Sequence, residues 1–163
     1  MRAEPNAYSR RWFEFFHIGI GEARTTQETA FVCRCAPLAH FCKLVDVCCG
    51  MGRHGRALSG RGYSVIGIDR DRNAIAKARA LAGGPSYVNR DIRDYRPESS
   101  AFDVAIIMSQ SFGYFDPTTN RDVLGRLAAG LREGGRIILD LWSPAFFAAH
   151  QGEREFKVPS GAV

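Results

Sequence analysis

Val45-Asp46-Val47-Cys48-Cys49-Gly50-Met51-Gly52-Arg53-His54-Gly55 is a short apolar run that opens into a glycine turn. Leu44 to Cys48 reads as a buried strand of a parallel sheet, because such strands are covered on both faces and lose the polar alternation of a half-exposed one. Arg53 to Ser59 reads as the helix that follows, closed by Gly60 and Gly62. Gly50, Gly52 and Gly55 match G-x-G-x-x-G, in which absent side chains permit a tight turn and the close approach of a ligand to backbone. Alone the pattern is weak, since a strand-to-helix turn that merely needs glycine has the same letters.

Strand and helix alternate outward from this point. Ser64 to Ile68 is a second strand ending at Asp69. Asp71 can cap the next helix, whose apolar side carries Ile75, Ala78, Leu81 and Ala82 and which Gly83-Gly84-Pro85 stops. Ser86 to Val88 is a third strand ending near Asp91, and Phe102 to Met108 a fourth. Thr118 or Thr119 can cap a helix bearing Val123, Leu124, Leu127 and Leu131 at helical spacing, and Gly134-Gly135 turns into a fifth strand, Arg136 to Trp142. Upstream, residues 7–18, with Tyr8, Trp12, Phe13, Phe15 and Phe16, read as an aromatic-rich helix. Thr25 to Glu28 offers a capping box for a helix through about Leu38. The fold class is α/β, a Rossmann-like, doubly wound, mostly parallel sheet with five recognisable strands. Residues 1–42 form an N-terminal helical cap and 43–163 the cofactor-binding domain.

Such sheets bind ligands at the carboxyl ends of their strands, near the reversal of strand order. That rule selects Gly50–Gly55, Asp69, Asp91–Ile92 and Ser109–Tyr114. Asp69, at the end of the second strand, is placed to accept hydrogen bonds from both hydroxyls of a ribose, so the pair of motifs points to an adenosine-containing cofactor. Two helical segments precede the glycine strand, Asp46 lies inside it, and Asp91 can meet an adenine amino group. These features, and a chain too short for a second mononucleotide half, favour S-adenosyl-L-methionine over a nicotinamide dinucleotide.

The chain of 163 residues fits one domain with a real core, and its 45% hydrophobic and 24% charged residues are ordinary for a globular protein. The net charge of +5 is spread over scattered arginines and forms no basic arm, which makes a nucleic-acid partner unlikely. Five cysteines, Cys33, Cys35, Cys42, Cys48 and Cys49, without an apolar leader suggest reduced thiols and a cytoplasmic location. Their spacing does not suit zinc, so no metal is expected. No apolar run approaches the ~18 residues of a membrane span.

The segment Val45 to His54 resembles motif I of class I S-adenosylmethionine-dependent methyltransferases, and in particular a subgroup of small methyltransferases with a Cys-Cys-Gly-x-Gly-Arg-His loop. Gly62 to Asp69, Asn89 to Arg93, Phe102 to Phe115 and Leu131 to Arg136 resemble that family's later segments in order, and Arg24 to Phe31 resembles the subgroup's N-terminal helix. The resemblance implies that Gly50 and Gly52 line the methionine part of the cofactor, that Asp69 holds the ribose, that Asp91 and Ile92 flank the adenine and that Asp46 orders the glycine loop from below. Cys48, Met51, Arg70 and Ser109 complete the expected cofactor contacts. Cys48 and Cys49 read better as small apolar fillers than as nucleophiles.

The expected reaction is in-line transfer of the methyl group to a small-molecule acceptor. The loop Ser109 to Tyr114 lacks the Asn/Asp-Pro-Pro-aromatic signature, and no Cys follows strand four, which lowers the odds of a nucleic-acid base. No catalytic residue is identified, while Tyr114, His17 and His54 are candidates to touch the acceptor. The family's sheet has seven strands, and the resemblance implies that its last two are missing after strand five, apart from one short strand at Glu155–Val158. A second copy could complete the exposed edge as a homodimer. A truncated cofactor-binding module without turnover, an RNA methyltransferase and an NAD-dependent oxidoreductase are the alternatives.

Overall fold

The computed structural model describes residues 20–81 and 83–152. Helix α1 (Glu22–Cys35) leads into strand β1 (Lys43–Val47), followed by α2 (Arg53–Ser59), β2 (Ser64–Asp69), α3 (Arg72–Ala80), β3 (Ser86–Asn89), β4 (Phe102–Ile107), α4 (Pro117–Gly130), β5 (Leu131–Leu139) and α5 (Pro144–Ala149). The five strands form one sheet in the order β3-β2-β1-β4-β5, and every pairing is parallel. The order reverses between β1 and β4, so the β1 and β4 carboxyl ends flank the crevice where a ligand binds in this architecture.

Successive side chains of a strand point to opposite faces, and the two central strands carry apolar residues on both. Leu44, Val104 and Ile106 join Val32, Leu58, Tyr63 and Val65 on the face covered by α1 and α2. Val45, Val47, Ala105 and Ile107 join Val123 and Leu127 on the face covered by α4. Asp46 falls between Val45 and Val47, on the α2 face, and is 1% exposed. At the sheet's other end, Asp103 ties strand starts together. Its Oδ2 accepts from the Cys42 and Lys43 N–H groups at 2.7 and 2.8 Å, and its Oδ1 accepts from Arg132 Nε at 2.6 Å.

Several local expectations are corrected. Helix α1 begins at Glu22 behind Gly21, with no side-chain cap, and ends at Cys35. Thr25 therefore lies inside the helix, and Glu28 is turned to other partners, described below. Asp116, with Pro117 at the first helical position, caps α4 by accepting from the Thr118 and Thr119 N–H groups, both at 3.0 Å. The carboxylate outcompetes the hydroxyls as acceptor, and Thr119 Oγ1 itself donates to it. Asp71 does cap α3, whose buried side is Ala74, Ile75 and Ala78. Leu81 is 48% exposed, because it follows the last helical turn. Leu131 opens β5 instead of closing α4, and that strand stops at Leu139 rather than Trp142. The helix expected over 7–18, Ala82 and the segment 155–158 lie outside the described residues.

Candidate functional site

The turn from β1 to α2 alternates between ordinary and left-handed backbone, with φ of 58° at Cys48, 54° at Gly50 and 74° at Gly52. Glycine takes this region without the Cβ penalty, which explains two of the three positions. The Gly50 N–H donates to Asp69 Oδ2 at 2.8 Å, while Asp69 Oδ1 accepts from the Asp71 N–H at 2.8 Å. Asp69 is 7% exposed. Burial raises its pKa, and the Asp71 and Gly50 N–H donors pull it partly back. Each oxygen has one backbone donor and keeps capacity for another, as bidentate recognition of a diol requires.

Beside it, Asn89 Nδ2 donates to the Asp69 and Arg70 carbonyls, each at 2.9 Å, and Arg70 is exposed on the rim. Asp91 lies in the same region, but its carboxylate is already gripped by Arg93. Oδ1 accepts from the Arg93 N–H at 2.8 Å and Nε at 3.0 Å, and Oδ2 accepts from Nη2 at 2.8 Å. The Arg93 guanidinium holds the Asp91 pKa below the ordinary carboxylate range. Ile92 is buried.

Across the crevice, the loop after β4 is tied down by two residues from elsewhere in the chain, Asp140 and Arg53. Ser109 and Gln110 both have left-handed backbone, φ 55° and 56°. Asp140, next after β5, secures them: its Oδ2 accepts from the Ser109 N–H at 3.0 Å and from Gln110 Nε2 at 3.2 Å, and its carbonyl accepts from the Gln110 N–H at 3.0 Å. Arg53, the first residue of α2, donates from Nη2 to Ser109 Oγ at 2.8 Å and from Nη1 to Thr25 Oγ1 at 3.0 Å and Glu28 Oε2 at 2.6 Å. His54 Nε2 meets the same Glu28 oxygen at 2.8 Å. Burial alone would raise the Glu28 pKa, but hydrogen bonds from Arg53, Arg24 and His54 bring it to about 2. Burial and the Arg53 charge depress His54 to about 4. At neutral pH a neutral His54 therefore donates to a Glu28 carboxylate. His54 is 4% exposed, and its contact with Glu28 braces α2 against α1.

Asp46 lies beneath the turn, fully buried, and burial lifts its pKa to about 7, opposed in part by the Gly55 N–H and Arg53. Burial likewise raises the Cys48 and Cys49 thiols, with the Asp69 and Asp46 charges adding to it. Both are thus un-ionised, and a thiol must ionise to become a nucleophile. Met51 is partly buried within the turn. Tyr114 is 53% exposed on the loop after β4, and His17 lies outside the described residues. Among the described residues no group of three or more His, Cys, Asp or Glu could hold a metal, and no helix is long and apolar enough to cross a membrane.

Glu28 and Asp140, which brace the crevice loops, were not singled out as site residues by sequence reasoning, whereas Arg53 lies within the selected Gly50–Gly55 segment. Asp140 had a usable signal, since it directly follows a strand. Placing the end of β5 at Trp142 hid it inside the strand.

The arrangement matches known proteins. A trans-aconitate 2-methyltransferase of Rhizobium etli is 27% identical over 107 residues, 64% of this chain and 40% of its own. A carboxy-S-adenosyl-L-methionine synthase of Chromohalobacter salexigens is 31% identical over 106 residues, 58% of this chain and 37% of its own. The chain thus spans about 40% or less of the length of these curated relatives. The crystal structure of a TehB-like SAM-dependent methyltransferase from Corynebacterium glutamicum shares the fold, with TM-score 0.66 and 23% identity over 86% of this chain and 76% of that one. The model of the methyltransferase domain matches residues 44–135, from β1 into β5, including the glycine turn, Asp69, Asp91 and the loop after β4, and the chain belongs to that family.

Proposed function

We propose that this chain binds S-adenosyl-L-methionine in the crevice between β1 and β4 and transfers its methyl group to a small-molecule acceptor. The observation that carries this reading is Asp69, a nearly buried carboxylate beside the glycine turn with one backbone donor on each oxygen and capacity left on both. The left-handed turn at Gly50 and Gly52 supports it by exposing backbone where the methionine part lies. When bound, the cofactor supplies an activated methyl: the acceptor's lone pair forms the new bond to carbon as the C–S bond breaks and its electron pair stays on sulfur. The protein's share is binding and orientation. Asp69 holds the ribose hydroxyls, Ile92 packs against the adenine, and Asp91 meets the adenine amino group with the capacity that Arg93 leaves it. Ser109 and Gln110, fixed by Arg53 and Asp140, form the wall on the acceptor side. The known relatives' names support the cofactor, and the raised pKa of the Cys48 and Cys49 thiols beside the glycine turn favours direct over covalent transfer.

Calorimetry with S-adenosylhomocysteine tests this, with NADH as the competing ligand. Saturable binding of S-adenosylhomocysteine and none of NADH is expected. Asp69→Ala is expected to weaken it about 10- to 100-fold, since a hydrogen bond to a charged group contributes about 1.5–3 kcal/mol. Binding unchanged in a folded Asp69→Ala chain, or a preference for NADH, defeats the reading.

A further inference from the structure

We infer that Asp140 is the acceptor-binding carboxylate of this site and that the acceptor it selects is an amine. The inference rests on the methyl-transfer reading above and names its substrate class. The topology sets the position: the β2–β3 side of the crevice, with Asp69, Asn89 and Ile92, holds the nucleoside, so the methyl and its acceptor lie toward β4 and β5. Asp140 ends β5 on that side and is partly buried. Its Oδ2 accepts from the Ser109 N–H and from Gln110 Nε2. No donor among the described residues reaches its Oδ1.

The nearby cations are engaged by Glu28 rather than by Asp140. Arg53 is paired with Glu28, Arg24 with the same carboxylate, and His54 is neutral at physiological pH, its pKa depressed to about 4 by burial and the Arg53 charge. Among the described residues no ion pair reaches Asp140. Bracing the loop needs only one acceptor oxygen and a backbone carbonyl, which a neutral amide supplies equally well. Oδ2 already has its two donors, while Oδ1 keeps lone pairs for a donor supplied by a ligand. A neutral amine donates an N–H to that oxygen, keeps its lone pair for the methyl and acquires positive charge as the methyl arrives, where a fixed carboxylate stabilises it. An alcohol provides a donor but no lasting charge.

The test separates this role from bracing. The chain is saturated with S-adenosylhomocysteine and titrated by calorimetry with matched pairs: glucosamine and glucose, ethanolamine and ethylene glycol, benzylamine and benzyl alcohol. At least one amine is expected to bind tenfold or more tightly than its alcohol. Asp140→Asn keeps an acceptor oxygen for Ser109 and Gln110, so it is expected to erase that preference while leaving the thermal midpoint unchanged and the S-adenosylhomocysteine affinity within about twofold of the parent. Equal binding of amines and alcohols, no amine bound, or a preference that survives in Asp140→Asn overturns the inference. So does a tenfold loss of S-adenosylhomocysteine affinity in that variant, which assigns Asp140 to the cofactor's own ammonium. Failure of S-adenosylhomocysteine to bind the unaltered chain is a different result: it removes the methyl-transfer reading itself.

Discussion

Gly52→Ala is expected to destabilise the chain by about 2–5 kcal/mol and to weaken S-adenosylhomocysteine binding with it. Two costs add. The residue has φ of +74°, where an alanine loses about 1–2 kcal/mol relative to glycine. Its new Cβ would also sit 2.7 Å from Tyr87 Cε1 and Cζ, and closer still to the hydroxyl. Tyr87 cannot swing clear. Its ring is packed on Gly67, whose own Cβ would be 2.7 Å from Cδ1, and it shares a core cluster with Cys49, Ile75 and Ala78. Overpacking of this kind costs about 1–3 kcal/mol. Urea unfolding followed by circular dichroism measures the total. The double variant Gly52→Ala, Tyr87→Ala separates the parts, because it relieves the overlap and leaves the backbone strain. A loss below about 0.5 kcal/mol in Gly52→Ala alone shows that the turn is loose and that β3 does not support it.

The turn was readable because its causes are local. Apolar runs bounded by glycine placed β1, α2 and β2 within a residue of their observed ends, and the rule that ligands lie beyond strand ends selected Asp69 and Ser109 with no knowledge of contacts. Strand β5 failed for a physical reason. Gly134-Gly135 looks like a turn, yet the ladder continues through it: Phe102 pairs with Leu131 and Val104 with Arg136, so β5 spends five residues against two of β4. A bulge absorbs the excess, with Gly134 left-handed at φ 72°. Periodicity cannot see an irregularity that the partner strand imposes. The Glu28–Arg53–Ser109 chain of contacts was invisible for a related reason. It joins residues 25 and 56 positions apart, and no spacing rule encodes that. Thr25-x-x-Glu28 even carried a false local meaning, since the capping-box letters were present and the helix started a turn earlier.

Asp46→Asn is expected to gain stability on the parent as pH rises, by about 2–4 kcal/mol on reaching the plateau. The carboxyl ordinarily titrates near 3.8, and in the folded chain burial lifts it to about 7. Between those values the folded state holds a proton that the unfolded state has released. A raised folded pKa therefore gives stability that is fully present below 3.8 and is lost as pH rises through about 7. The full difference corresponds to about 4 kcal/mol, which sets the upper bound. His54 works in the opposite sense: its pKa falls from 6.5 to about 4, so its contribution is present above 6.5 and is lost as pH falls through 4. Stability of the parent alone would mix the two. The difference between Asp46→Asn and the parent cancels His54 and isolates the one carboxyl, because the asparagine mimics its neutral form. Urea midpoints across pH 4–8.5 should give a difference that starts small, climbs between pH 4 and 7 and then flattens. A difference that is flat across the range means that Asp46 is ionised beneath the glycine turn throughout. The turn would then rest on a buried anion held by the Gly55 N–H and Arg53, rather than on a carboxylic acid that keeps its proton until the pH passes neutrality.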